Sequence, residues 1–204
     1  MAATAYERFL NFFKSAGRER LDGLDRSYFD GMPDNEKERA FDYLLKEFQS
    51  GSSEAVDGLQ ALSGRKIYDV FMNKIIELRK SKSITEQRLS LSISLWQMSG
   101  DVQYQDDMID MLEHPNEFVR AGALSALEQT PTTSRLIKRL EKILFEDPAE
   151  LIIMAAAQQL LRQHGLSLDD NKQADSYKSI YKQLKSEDIN EKKLGLSILK
   201  TLKK

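Results

Sequence analysis

The chain has 204 residues, of which 41% are hydrophobic and 30% are charged, and its 30 Lys and Arg residues against 32 Asp and Glu residues leave a net charge of −2. This balance is typical of a globular domain and excludes a globally basic nucleic-acid-binding chain. With no cysteine and two histidines, disulfides, thiolate zinc sites and histidine-rich metal centres are excluded, while 10 glycines and 4 prolines disfavour a turn-rich β fold. We therefore expect an all-α protein without a metal or cofactor.

The first 33 residues are predicted to form an N-terminal capping helix and loop. Tyr6, Phe9, Leu10 and Phe13 recur at helical spacing, so they predict one apolar helix face. This region has no apolar run of signal-peptide length, and no run of about eighteen apolar residues occurs elsewhere. A cytoplasmic location without membrane contact is the resulting expectation.

From residue 34 onward the chain repeats a helix-start pattern. A possible N-cap residue is followed three positions later by Glu at five places, 31 to 33 residues apart and finally 41 residues apart. The position four residues after each Glu is small in four of five cases, and the position seven residues after is always apolar. A period near 32 with two helices per unit predicts stacked helical hairpins over residues 34–204. The five pairs are Gly51–Glu54, Ser83–Glu86, His114–Glu117, Asp147–Glu150 and Asp188–Glu191.

One repeat carries a family resemblance. The segment from Leu112 to Leu127, LEHPNEFVRAGALSAL, resembles the second helix of a HEAT repeat in its turn proline, its Val119-Arg120 pair and its spaced Ala and Leu residues. The resemblance implies an all-α, right-handed α-solenoid of about five hairpins, forming one domain over residues 1–204. In HEAT proteins the arginine joins polar contacts between repeats. The next unit has Ile153 at that position, so we expect a less regular stack from about residue 150.

An acidic segment between positions 101 and 117 is the sharpest candidate site. It holds six acids and no Lys or Arg, and three of the acids share one stripe of a predicted helix at i, i+4 and i+7. Like charges at this spacing destabilise a helix slightly, so local helix stability does not explain the stripe. It is either an ordinary solvated face or an anionic surface for a basic protein partner. The residues predicted to bind the partner are Asp106, Asp107, Asp110, Glu113 and Glu117.

Other features have a structural and a functional interpretation. The basic segments 65–88 and 172–204 are typical of solubilising lysine surface, and the second is alternatively a phosphate-binding groove with Tyr177 and Tyr181. Trp96 is either core or a binding hot spot, and residues 165–175 are either a slack connection or a binding loop. His114 and His164 lie at predicted helix ends, and no phosphate loop, nucleophile elbow or H-E-x-x-H motif is present.

Two classes of function fit these predictions. A short, acidic helical-repeat chain is similar in type to the small HEAT-like immunity proteins of bacteria, which neutralise a toxin by covering its active surface. The first hypothesis is thus a non-enzymatic protein-binding scaffold whose partner is a basic protein, such as a toxin domain. The alternative is a HEAT-like DNA glycosylase of the alkylation-repair type, which the −2 charge disfavours. An adaptor or chaperone for another enzyme is a third option.

Overall fold

The structure, a computed structural model, describes residues 4–15, 23–170 and 172–202. These residues form helices, turns and loops and contain no strand, which confirms the all-α prediction. The chain divides into two compact units, Met1–Asp107 and Met108–Lys204. Within the described ranges, no helix is long and apolar enough to cross a membrane. Parts of the predicted cap, residues 1–3 and 16–22, lie outside the described residues.

Unit 1 is built from consecutive helices around an apolar core. Helices α2 and α3 form one hairpin, α4 and α5 form the next, and α3 packs against α5. Helix α1 packs on α2 and brings the ring of Phe9 to 5.6 Å from that of Tyr43. The helices are α1 (Ala5–Lys14), α2 (Asp34–Ser50), α3 (Glu54–Ser63), α4 (Tyr68–Lys80) and α5 (Glu86–Ser99), with α6 (Gln103–Met111) beginning in unit 1 and ending in unit 2.

Unit 2 continues with hairpins, but its packing order changes at the last one. Helices α8 and α9 pair closely and α9 packs on α7, as expected for successive second helices of a repeat. In the last hairpin the first helix, α10, packs on α9, while the second helix, α11, packs on α8. A continuous right-handed solenoid therefore stays a prediction. The helices are α7 (Glu117–Leu127), α8 (Ser134–Glu146), α9 (Glu150–Gln163), α10 (Ala174–Leu184) and α11 (Ile189–Leu202).

The repeated Glu marks the starts of helices, but its place within them differs from the prediction. It is the first helical residue of four helices, not the third. The predicted caps Gly51, Ser83, His114 and Asp147 are therefore wrong by two residues. Thr85 caps α5 by accepting from the Arg88 N–H, and Asn116 caps α7 by accepting from the Phe118 N–H. The four residues are Glu54, Glu86, Glu117 and Glu150.

The small residue four positions after the repeated Glu permits close helix packing at two places. A Cβ atom on Gly58 would collide with the side chains of Leu24 and Leu44, at 2.7 Å from Cδ2 of the latter. On Gly195 it would lie 3.1 Å from the nearest side-chain atoms of α10. The equivalent Ala121 is exposed, so this interpretation is wrong there. Close approach is a property of particular helix pairs and not of every repeat.

Candidate protein-binding surface

Asp107 does not lie on the protein surface. Its residue is only 2% exposed, and its carboxylate is held between two guanidinium groups. Arg79 of α4 donates to Oδ2 at 2.5 Å, and Arg88 of α5 donates to Oδ1 at 2.6 Å. The inclusion of Asp107 in an accessible anionic surface is therefore wrong. Asp107 therefore connects α6 to α4 and α5 through buried ion pairs. A buried carboxylate requires such partners for its charge.

Two more of the predicted acids are paired with cations of the following hairpin. Asp110 forms an ion pair of 2.6 Å with Arg135, and Glu113 forms one of 2.6 Å with Arg139. Both arginines come from a basic stripe on α8, which therefore neutralises Asp110 at the end of α6 and Glu113 in the turn that follows it. The sequence already contains the pattern of this basic stripe, since four cations recur at i, i+3, i+4 and i+7. They are Arg135, Lys138, Arg139 and Lys142.

The last two predicted acids, Asp106 and Glu117, are exposed. Glu117 opens α7, where a carboxylate favours the positive end of the helix dipole. The five predicted residues thus separate into one buried acid, two acids paired with cations of α8 and two acids with exposed residues. Of these five, Glu117 belongs to the surface described next, and Glu113 lines the groove that adjoins it.

Arg120 joins the loops that precede α7 and α9. Its side chain is 8% exposed, donates to the backbone oxygens of His114 (2.8 Å) and Pro115 (3.0 Å), and forms a 2.9 Å ion pair with Asp147. This is the arginine that carries the HEAT resemblance. It holds the N-terminal ends of α7 and α9 side by side.

Lys192 makes the matching connection for α11. This residue is buried, its ammonium group donates to the backbone oxygen of Leu144, and it lies 5.9 Å from the centre of the Phe145 ring. The start of α11 is therefore fixed against the last turn of α8. We call the resulting surface the entry end of unit 2: the first turns of α7, α9 and α11 and the last turn of α8.

Large apolar side chains are exposed at the entry end. Phe118 is 79% exposed and Leu151 is 73% exposed, and each is the second residue of its helix. Ile189, the first residue of α11, is 57% exposed, and Phe145 on α8 is 41% exposed. Single exposed apolar residues are ordinary, but several at one end of a unit indicate an interaction surface.

A groove lies between the loops that lead into α7 and α9. Its apolar lining is Leu112, Pro115, Ile143 and Pro148, so it adjoins Phe118 and Leu151 along the chain. The charges in the groove are internally paired. Arg120 pairs with Asp147, Arg139 with Glu113, and Lys142 with Glu146 at 3.4 Å; these residues complete the charged part of the lining.

A second cavity lies in unit 1 beside Asp57. Gly23, Leu24, Asp25 and Gln60 contribute to its lining. The Asp57 residue is exposed as a whole, but desolvation of its carboxylate beside this cavity, reinforced by the nearby Glu54 carboxylate, raises its pKa to about 6. Within residues 4–15, 23–170 and 172–202, no group of three potential metal ligands lies together.

The aromatic residues that the sequence offered as binding candidates pack within the two units. Trp96 is half-buried and packs against the core of unit 1, as its core interpretation expects. In the basic segment 172–204, Tyr177 is buried and its ring stacks 6.2 Å from that of Tyr181. Lys203 and Lys204 lie outside the described residues, as does position 171 in the loop 165–175.

Comparison of the chain with protein-family models, with curated proteins and with solved structures finds no significant match in any of the three.

Proposed function

We propose that this chain is a non-enzymatic, HEAT-like protein-binding module that contacts its partner through the entry end of unit 2. The observation that supports this proposal is the exposure of Phe118, Leu151, Ile189 and Phe145 at one end of the unit. Covering a large apolar side chain stabilises a complex by about 1.5–3 kcal/mol, and aromatic residues are frequent among binding hot spots. Phe118 and Leu151, the most exposed, are the expected anchors.

The specific case to test first is an immunity protein that covers the active surface of a cognate toxin domain in the cytoplasm. The support for this case is the similarity of type in charge and in the HEAT-like repeat pattern. A module of this kind acts by occlusion, so it needs a large complementary surface and no reacting groups.

The first experiment uses affinity capture and variants at the entry end. The wild-type chain and a Phe118→Asp, Leu151→Asp variant are used to recover partners from the source cells. As a matched control, Val70→Asp and Val102→Asp change two exposed apolar residues of unit 1. We expect one partner to be recovered by the wild type and the control and lost from the entry-end variant. A partner retained equally by all three chains, or no specific partner, would contradict the proposal.

The immunity case has its own test. A toxin-like protein encoded beside this chain is expressed in cells with and without the chain. We expect the wild type to restore growth and the entry-end variant to fail. Growth that is unchanged by the wild-type chain would remove the immunity case and leave the binding proposal to the capture experiment.

A further inference from the structure

We infer that the partner presents a basic amphipathic helix to the entry end, with its apolar face on Phe118 and Leu151. This inference rests on the proposed function and specifies the chemistry of the partner. The inference depends on the charged residues that surround the exposed apolar residues. Most of these charged residues lie outside the acidic segment 101–117.

The exposed charges next to the apolar anchors are predominantly negative. Glu117 directly precedes Phe118, and Glu150 directly precedes Leu151, and both carboxylates are exposed. The cations in this part of the unit are mostly engaged elsewhere. Arg120 and Lys192 are buried on their internal partners.

The start of α11 continues the same pattern. Ile189 is flanked by three exposed acids, Glu187, Asp188 and Glu191, and by one exposed cation, Lys193. Lys185, at the end of α10, lies 5.5 Å from the centre of the Tyr181 ring. The exposed anchors therefore lie among five carboxylates, while the charges in the adjoining groove are paired with one another.

This combination selects one kind of occupant. Two exposed apolar anchors on neighbouring helices, Phe118 on α7 and Leu151 on α9, match the i, i+3, i+4 residues of an amphipathic helix. The carboxylates attract lysine or arginine beside that apolar face and repel an acidic helix or a nucleic-acid backbone. The expected contact has an apolar centre and a charged rim.

The test uses two fluorescently labelled model peptides added to the full chain. Both have leucines at helical spacing; one has lysine at the remaining positions and the other has glutamate. Fluorescence anisotropy measures their binding at low and at physiological salt. We expect the lysine peptide to bind, with an affinity that falls as salt rises because the rim charges are exposed.

Matched variants localise the effect. Neutralising the rim with Glu117→Gln, Glu150→Gln and Glu191→Gln is expected to weaken lysine-peptide binding by about tenfold. The control neutralises three exposed acids of unit 1 with Glu38→Gln, Asp42→Asn and Asp69→Asn and is expected to leave affinity unchanged. Circular dichroism melting checks that each variant is folded.

Three results would overturn the inference: no binding of the lysine peptide, equal binding of both peptides, or equal loss in the rim and control variants. Equal binding that is lost on changing Phe118 and Leu151 to alanine would leave an apolar binding surface without charge selection. The proposed function fails separately, through the capture experiment, when no specific partner depends on Phe118 and Leu151.

Discussion

Replacing Asp107 with asparagine should strongly destabilise unit 1. The carboxylate receives hydrogen bonds from Arg79 and Arg88, and the Arg88 side chain is only 7% exposed. An asparagine of the same size cannot neutralise either guanidinium, and its NH2 group adds donors where acceptors are needed. Removing one partner of a buried ion pair costs about 3–5 kcal/mol. Because the Arg79 side chain is 30% exposed and keeps access to water, we expect the lower end, about 3 kcal/mol.

Urea unfolding followed by tryptophan fluorescence measures this loss. Trp96 is the only tryptophan in the chain and packs against the core of unit 1, so its emission reports on that unit. With a urea dependence of about 1–3 kcal/mol per molar, the midpoint should fall by about 1–3 M.

An exposed acid of unit 1 provides the control. Asp42→Asn should cost about 0.5 kcal/mol or less, because changes at exposed positions are usually small. If both substitutions lower the midpoint equally, or if Asp107→Asn costs less than about 1 kcal/mol, the ion-pair centre does not stabilise unit 1 as argued.

Three further changes test other features. Gly58→Ala should lower the free energy of unfolding by about 1–3 kcal/mol, because the added Cβ collides with two leucines. Gly195→Ala, whose added Cβ makes looser contacts of 3.1 Å, should be close to neutral in thermal melts. Equal effects of the two substitutions would contradict the packing argument. Asp57→Asn should raise the melting temperature at pH 7.5 but not at about pH 4. The raised pKa of Asp57 in the folded state makes the wild type lose stability as the pH rises from 3.8 towards about 6. A gain in melting temperature that is independent of pH would refute this direction of the pH dependence. A double-mutant cycle on Glu113 and Arg139 should give a coupling free energy of about 0.2–1 kcal/mol that decreases with added salt. Zero coupling in low salt would show that the ion pair between these two residues does not contribute to stability.

Local sequence signals predicted much of the secondary structure. Helical apolar spacing and the recurring Glu located the helices, because both depend on residues within a few positions of each other. The same signals misplaced the caps, since Ser83 and Thr85 are both acceptable cap types and Asn116, a better cap type than His114, lies only two residues further on. Only the backbone conformation of the loop decides which side chain reaches the orphan N–H groups.

The candidate site was less predictable. Asp107 and Glu117 look alike in the sequence, yet the first is buried between arginines and the second is exposed beside Phe118. Arg139 lies 26 residues from Glu113, so their pairing depends on how two helices face each other. The exposure of Phe118 could not be predicted either, because an apolar residue in a first turn fits a core position equally well.

The sequence by itself determined the all-helical class and the approximate positions of most of its helices, because helix formation and termination are governed by neighbouring residues. Tertiary structure decided which charges are neutralised inside the chain and which remain exposed. It also decided that the last hairpin packs in a changed order, with α11 on α8. These outcomes depend on the relative rotation and order of helices, which no local pattern specifies, and they moved the candidate surface from the acidic stripe to the entry end.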